Sequence, residues 1–565
     1  MIFKSKTATV DIPNIDIATY CLEEGKKSSR KYDNNAGYAI RDGETKRSFT
    51  IHELESQSIA FGSGLVNEFG FKRDNVLAVF SQNSIYYPVA IFGTIMTGGI
   101  VTLANPTYNA RELAHQLRDS GASIIATQTA FLQITKDAIK LGNIGIPDSK
   151  ILLMDAIKNP SDKHRHISDV YSNLTFKRFK IKDEYEADNK ISILSYSSGT
   201  TGLAKGVVLT NKNIVTTALV NSNFLNADGD HDRSSLPPIY LSMLPFYHIY
   251  GLVLNLFIGM MNSVGLVILP KFEMKRFFEL VQDEKITFAH IVPPVIISLL
   301  NEPNVGRYDL SSLKFLMTGA APLGKDVLTR FIEKFNGVKI IRSYGLTEAS
   351  PTICLSYKDH PFDGSSGVLL GNIEAKVIDE SGKKLGVGEV GELCFRGSNM
   401  TKQYLNNVKA TKASIDDEGF FHTGDVGYID ENTNLFIVDR IKELIKYKGF
   451  QVAPAELESL LLLHEDVADS AVVGIYREEL GTELPKAYIT LAGSNNTKLP
   501  KDQIKCKVDA ILAWINNQVA PHKKLRGGIE VLEIIPKSAS GKILRRELRE
   551  MEKRKLELLQ KIPKL

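Results

Sequence analysis

The sequence predicts an α/β fold. A large N-terminal domain of parallel-rich sheets covered by helices precedes a small α+β C-terminal domain. Three observations carry that expectation. At 565 residues the chain exceeds what one hydrophobic core accommodates. Up to about residue 440, short apolar runs alternate with amphipathic helical patterns, as parallel strands under helices do. After Arg440 the alternation gives way to a compact helix–strand mixture, so the expected division is 1–440 and 441–565. No Pro/Gly/Ser-rich linker surrounds Asp439-Arg440-Ile441-Lys442, which reads as a short hinge at Lys442.

Taken in order, the strand-like runs are Asn75–Phe80, Ser123–Thr127, Lys150–Met154, Ile191–Ser195 and Thr287–Val292, with helical patterns at Ala110–Ser120 and Met274–Glu284. Two long uncharged stretches, Asn75–Ala110 and Leu236–Pro270, require a membrane check. Both are broken by polar residues, the first by Gln82, Asn83, Ser84 and Pro88, the second by Asn255, Asn262 and Ser263. They are expected to be α/β core, with Val264–Leu269 a buried strand after a helix. Past the hinge, a helix from Pro454 to His464, strands at Ser470–Ile475 and Ala487–Leu491, and a helix over Asp502–Val519 complete the pattern.

A net charge of +4 on this length gives no basis for a nucleic-acid partner. Cys21, Cys354, Cys394 and Cys506 form no CxxC pair, so neither a zinc site nor a disulfide framework is expected. The N-terminus shows no secretory pattern and no transmembrane segment is expected.

The most informative run is Tyr196-Ser-Ser-Gly-Thr-Thr-Gly-Leu-Ala-Lys-Gly-Val207, directly after the strand-like Ile191–Ser195. Gly199, Gly202 and Gly206 let backbone N–H groups approach a ligand closely. The hydroxyls of Ser197, Ser198, Thr200 and Thr201 add donors, and Lys205 adds a point charge. Such a loop suits a polyphosphate, although taken alone it also reads as a flexible surface loop. It is not the common nucleotide P-loop, because Ala204 follows Gly199 by five positions and Gly206 follows Lys205.

Six further segments follow in order: Leu244-Pro-Phe-Tyr-His-Ile-Tyr-Gly251, Thr318-Gly-Ala-Ala-Pro-Leu-Gly324, Ser343-Tyr-Gly-Leu-Thr-Glu-Ala349, Gly391-Glu-Leu-Cys-Phe-Arg-Gly397, Phe421-His-Thr-Gly-Asp425 and Asp439 to Gln451. Pro536-Lys-Ser-Ala-Ser-Gly-Lys542 closes the set. Together with the loop they resemble the acyl-adenylate-forming superfamily, within it the branch of 4-coumarate–CoA ligases, luciferases and acyl-CoA synthetases. The resemblance spans nearly the whole chain, and it implies a β-barrel-like subdomain within the N-terminal domain and a mobile C-terminal domain. It implies an ATP-dependent acid–CoA ligase with Mg²⁺ as cofactor and a carboxylic acid, ATP and CoA as substrates.

Carried over residue by residue, the resemblance makes Ser197, Ser198, Gly199, Thr200, Thr201, Gly202 and Lys205 the phosphate cradle. Tyr344, with Ser343 and Gly345, should lie against adenine, opposite Gly319, Ala320, Ala321 and Pro322. Thr347 should contact the α-phosphate, Glu348 hold Mg²⁺, and Asp425, assisted by Arg440, accept the ribose hydroxyls. Lys542 should bridge the carboxylate and the α-phosphate, with His248 beside the carboxylate. Lys446 and Gln451 are expected at the nucleotide, and Lys448 and Gly449 at CoA. The acyl pocket is expected at Tyr250, Val253, Met317, Pro351 and Thr352. Singly, each has a plainer reading: His248 as a core histidine, Glu348 as a helix-terminal carboxylate, Asp425 as a turn residue, Lys542 as a solvated lysine.

Departures from the resemblance concern the acid. Hydroxycinnamate ligases resemble one another in a polar residue after the His-Ile-Tyr run and a lysine before the Gly-Ala-Ala-Pro loop; here Val253 and Met317 stand there. An unpartnered buried phenol hydroxyl costs about 1–3 kcal/mol, so a fatty or unsubstituted aryl acid is expected over 4-coumarate. Pro563-Lys-Leu565 resembles a peroxisomal Ser-Lys-Leu address read by an import receptor; peroxisome, otherwise cytoplasm, is the expected location. The alternatives are a luciferase-like or stand-alone adenylating enzyme, or an inactive acyl- or nucleotide-binding scaffold. The scaffold would be expected to lack Lys205, Glu348 or Lys542.

Overall fold

The computed structural model describes residues 1–31, 37–197, 204–227, 238–321, 325–335, 337–359, 363–448, 450–493, 500–538 and 541–560. The α/β class expected from the sequence is the one the chain adopts. Two large sheets dominate. The six-stranded sheet runs Ile151–Leu153, Ala122–Thr127, Val76–Phe80, Ile100–Ala104, Ile191–Ser197, Lys205–Thr210, parallel except for its last pair. Its strands are apolar on both faces because helices such as Ala110–Ser120 cover them.

The nine-stranded sheet has a parallel centre. Phe288–Ile291 lies beside Phe315–Thr318, which lies beside Lys339–Gly345. The antiparallel strand Thr352–Leu355 then turns back after Glu348. The second uncharged stretch folds as strand Ile239–Ser242, π-helical Tyr250–Phe257, helix Ile258–Met261 and strand Gly265–Ile268, all within the core. Among the described residues no helix is long and apolar enough to cross a membrane.

Between the large sheets and the C-terminal region stands a five-stranded antiparallel sheet, ordered Phe3–Lys4, Ile373–Ile378, Gly391–Gly397, Phe421–Ile429, Leu435–Arg440. Beyond Arg440, a three-stranded sheet (Val467–Arg477, Thr482–Leu491, Ile529–Val531) packs against helices Pro454–Leu461 and Lys501–Gln518. Its core of Ile445, Val452, Leu457, Leu461, Ile511 and Ile515 is separate from the main one. The helix Arg545–Gln560 packs on the first of these strands.

Candidate active site

One cavity of about 550 Å³ receives side chains from every part of the chain just described. The six-stranded sheet contributes Ser197 and Lys205, directly paired across the two strands that flank the loop. The nine-stranded sheet contributes Ser343, Tyr344 and Gly345 at the carboxyl end of one strand, followed by a single 3₁₀ turn holding Thr347 and Glu348. Ligand crevices of α/β sheets lie at such strand ends. The antiparallel sheet contributes Asp425 and Arg440, which face each other in register on adjacent strands. Lys542 enters from the C-terminal region. Its neighbour Gly541 adopts φ +79° against Val292 and Pro294, where an added Cβ would stand 3.1 Å from Val292 Cγ2. Glycine thus lets the lysine-bearing turn seat on the N-terminal part.

The site's polar atoms form two groups. In the first, Glu348 Oε1 accepts from Ser197 Oγ at 3.1 Å and from Tyr404 Oη at 2.9 Å. In the second, Tyr344 Oη donates to Asp425 Oδ2 at 2.5 Å and Arg440 Nε to Oδ1 at 3.0 Å. Burial, then the Asp425 charge, pushes the Tyr344 phenol well above its ordinary range. Burial and the nearby Arg440 guanidinium bring Lys542 down to about 8, against the opposing pull of Asp425, Glu443 and Glu348. Burial, reinforced by the Lys542 charge, lowers His248 to about 4, so its imidazole is neutral at physiological pH.

The sequence profile of the AMP-binding enzyme family matches residues 27–405, and that of the family's C-terminal domain matches 456–542. The chain is 37% identical over 555 residues to 4-coumarate-CoA ligase 1 of Narcissus pseudonarcissus, covering 97% of this chain and 96% of that protein. It is 38% identical over 560 residues to 4-coumarate–CoA ligase of Vanilla planifolia, with the same coverage. This chain belongs to the AMP-binding enzyme family. Solved structures agree on the fold. The anthranilate CoA ligase AuaEII with anthranoyl-AMP superposes at TM-score 0.82 and 22% identity, covering 97% of this chain and 99% of that one. ATP-bound MatB from Rhodopseudomonas palustris superposes at TM-score 0.78 and 24% identity, covering 94% and 99%.

Of the residues singled out in the sequence, this AMP-binding enzyme brings Ser197, Lys205, His248, Tyr250, Ala320, Ser343, Tyr344, Gly345, Thr347, Glu348, Pro351, Thr352, Asp425, Arg440, Lys442 and Lys542 to the one cavity. Gly319 is set just behind it, where an added Cβ would meet Ser343 Oγ at 2.4 Å, and Ala321 adjoins it without reaching the wall. Val253 and Met317, expected in the acyl pocket wall, are instead buried behind it. Only the Met317 carbonyl is used, accepting from Tyr250 Oη at 2.9 Å. The reason is the π-helical winding of Tyr250–Phe257, which turns Tyr250 and Leu254 toward the cavity and Val253 into the core.

Lys446, Lys448 and Gln451 are exposed on the hairpin Ile445–Tyr447/Phe450–Val452, away from the cavity. Gln451 Nε2 reaches Glu380 Oε1 at 3.4 Å instead. Ser198, Gly199, Thr200, Thr201, Gly202, Pro322, Gly449 and Pro563–Leu565 lie outside the described residues.

The sequence reading missed Tyr404, Glu392 and His422 as cavity residues. His422 and Glu392 stand inside quoted motifs, beside Asp425 and in the facing strand, so adjacency was a usable signal. Tyr404 lies between motifs and has no such signal.

Proposed function

We propose that this protein is an AMP-forming acid–CoA ligase, with the domain boundary at 440/441 and a hinge at Lys442. The observation that carries the reading is the meeting of Lys205, Glu348, Asp425, Arg440 and Lys542, from four parts of the fold, around one cavity. A carboxylate is a poor electrophile because its leaving group would be oxide. Its oxygen attacks the α-phosphorus of ATP, the bond to the β-phosphate oxygen breaks, and pyrophosphate leaves; the product is acyl-AMP. The thiol of CoA then attacks the acyl carbon, and AMP leaves with the bonding electron pair. Positioning and charge neutralisation dominate such chemistry.

In this assignment Lys205 and the Ser197 hydroxyl hold the terminal phosphates. Asp425, oriented by Arg440 and Tyr344, takes the ribose hydroxyls. Thr347 donates to the α-phosphate. Lys542 places its charge where the carboxylate oxygen and the α-phosphate meet, the preorganised stabilisation that counts most in a water-poor site. Neutral His248 shapes the entrance for the acid.

Mg²⁺ fits the residues present. Glu348 offers a carboxylate with one oxygen fixed by two hydroxyls, and Mg²⁺ is commonly held by one or two carboxylates plus substrate phosphates. When bound, the ion would neutralise phosphate charge. Glu348 would hold it, while Lys205 and Ser197 would hold the phosphates that complete its coordination.

For the acid, the similar plant proteins carry the name 4-coumarate–CoA ligase, which favours a hydroxycinnamate. The pocket favours an apolar fatty or aryl acid. Tyr250 Oη is spent on the Met317 carbonyl and Ser343 Oγ donates to the Thr318 carbonyl at 3.2 Å, so both hydroxyl protons are already committed within the protein. The test is incubation with ATP, Mg²⁺ and a panel of acids, with and without CoA. Pyrophosphate release and a CoA-dependent thioester are expected, largest for apolar acids. No pyrophosphate from any acid would overturn the ligase reading, and a clear preference for 4-coumarate would overturn only the acid assignment.

A further inference from the structure

Three elements meet at a residue that no motif contains. The segment around Tyr404 is annexed to the strand that follows the phosphate loop. Leu405 N donates to Gly206 O at 2.7 Å and Val208 N to Gln403 O at 3.2 Å, with Tyr404 bridged to Val207 in antiparallel register. The same segment grips the turn that carries Glu348. Thr401 N donates to Glu348 O at 2.7 Å, and Asn399 Nδ2 donates to Ala349 O at 3.0 Å. Helix Asn211–Ala227 fastens it from behind through Asn213 Nδ2, bonded to the Ser398 and Met400 carbonyls at 2.9 Å each. Tyr404 is therefore held by backbone pairing on both sides, which fixes where its ring points.

That ring touches both charges of the phosphate end. Its hydroxyl donates to Glu348 Oε1 at 2.9 Å, and its face lies 5.1 Å from Lys205 Nζ, within cation–π range. Tyr404 and Glu348 are each 8% exposed, so their contact acts at low dielectric, where a hydrogen bond to a carboxylate counts for more than it does in water. A phenol is suited to this place. It donates one hydrogen bond to the anion and offers a π face to the cation.

We propose that Tyr404 is a positioning residue for nucleotide binding. It fixes the Glu348 carboxylate for the metal–nucleotide complex and shelves Lys205 where it can meet phosphate. This rests on the ligase reading for the roles of Glu348 and Lys205, and on the contacts above for Tyr404 itself. The two charges contribute separable effects. Tyr404→Phe keeps the π face and the packing but removes the hydrogen bond, so it should alter only what depends on Glu348. Tyr404→Leu removes both.

The test is calorimetric binding of ATP to the full-length chain, with no turnover required, at a series of Mg²⁺ concentrations and in EDTA. The wild type should bind ATP more tightly with Mg²⁺ than without. Tyr404→Phe should bind ATP in EDTA as the wild type does, but need roughly 10- to 100-fold more Mg²⁺ for half of the metal-dependent gain, the size of one lost charge-assisted hydrogen bond. Tyr404→Leu should lose affinity in EDTA as well. Identical Mg²⁺ dependence in wild type and Tyr404→Phe would overturn the proposal while leaving the ligase reading intact. A wild type that binds no ATP under either condition would overturn both. Equal losses for Tyr404→Phe with and without Mg²⁺ would mark Tyr404 as packing only.

Discussion

Tyr344 Oη donates to Asp425 Oδ2 at 2.5 Å while Arg440 Nε holds Oδ1 at 3.0 Å, so both carboxylate oxygens are engaged across two different sheets. The tyrosine and the aspartate, from two sheets, are thus one unit in the cavity wall. Asp425 is 5% exposed, and an uncharged replacement would strand Arg440.

For Asp425→Ala, we expect weaker ATP binding together with a stability loss of about 1–3 kcal/mol, since a partly exposed guanidinium recovers some hydration. Tyr344→Phe should raise the KM for ATP while costing less stability, because Arg440 keeps its partner. Steady-state kinetics and urea midpoints on both variants check this; equal stability losses would contradict the unit.

Lys542 gives a pH prediction. Lowered to about 8 by burial and Arg440, it is charged below that pH and neutral above it. Since kcat/KM for ATP reports the free protein, it should fall as pH rises through about 8. Bound phosphates restore the charge, so the kcat limb should lie higher. Lys542→Arg should move the kcat/KM limb out of range. Lys542→Ala should cost on the order of 10²–10³ in adenylation and largely spare thiolation of a preformed adenylate. Equal loss in both half-reactions would remove Lys542 from the role assigned to it.

The elements most legible in the sequence are those governed by local chemistry. Helix Ala110–Ser120 was bounded correctly because Asn109 and Glu112 form a capping box and Gly121 closes it at φ 67°. The strand before the Gly/Ser/Thr run was legible as a short apolar stretch, Ile191–Ser195, within the strand Ile191–Ser197. The π-helical winding at Tyr250–Phe257 was not, since one extra residue per turn leaves no distinct period in an all-apolar run, and Val253 was misplaced as a result. Tyr404 was invisible because its placement comes from pairing with residues some two hundred positions earlier. The exposed hairpin carrying Lys446 and Gln451 could be read only through resemblance, which does not specify the domain orientation seen here.

His422 is shifted in the opposite direction to Lys542. Its Nδ1 lies 3.1 Å from Glu392 Oε2 and its Nε2 3.2 Å from Asp416 Oδ2, while Glu392 Oε1 accepts the Gly424 N–H next to Asp425. The neighbouring Cys394 sulfur and the Glu392 carboxylate raise the imidazole to about 10. A folded-state value above the unfolded one, about 6.5, contributes stability fully present below that pH and lost as pH rises through about 10. The stability gap between wild type and His422→Gln should therefore narrow steadily from about pH 6.5 to 10. Urea melts across that range measure it, and a constant gap would mean that His422 is neutral in the folded state.

The last prediction concerns what holds Lys542 in place. Three residues after it, Arg545 Nη2 donates to both oxygens of Glu458 at 2.7 Å, and Arg545 Nε donates to Val472 O at 3.2 Å; Glu458 Oε1 also accepts Val472 N at 2.7 Å. With side chains 14% and 10% exposed, the pair is desolvated, so removing one partner costs far more than a surface ion pair would. On the other side of the turn, Lys537 Nζ donates to Asp469 Oδ2 at 2.6 Å, so the lysine-bearing segment is pinned at both ends. Arg545→Met should destabilise the C-terminal region by about 3–5 kcal/mol by leaving Glu458 buried and unpaired. Adding Glu458→Leu should recover much of that loss, because a matched apolar pair no longer buries a charge. The chain's one tryptophan, Trp514, lies in this region, edge-on to His464, so its fluorescence reports this unfolding selectively. If Arg545→Met left the Trp514 transition unmoved, the pair would be dispensable. If the double variant restored the transition but not adenylation, Arg545 would be placing Lys542 as well as stabilising the region.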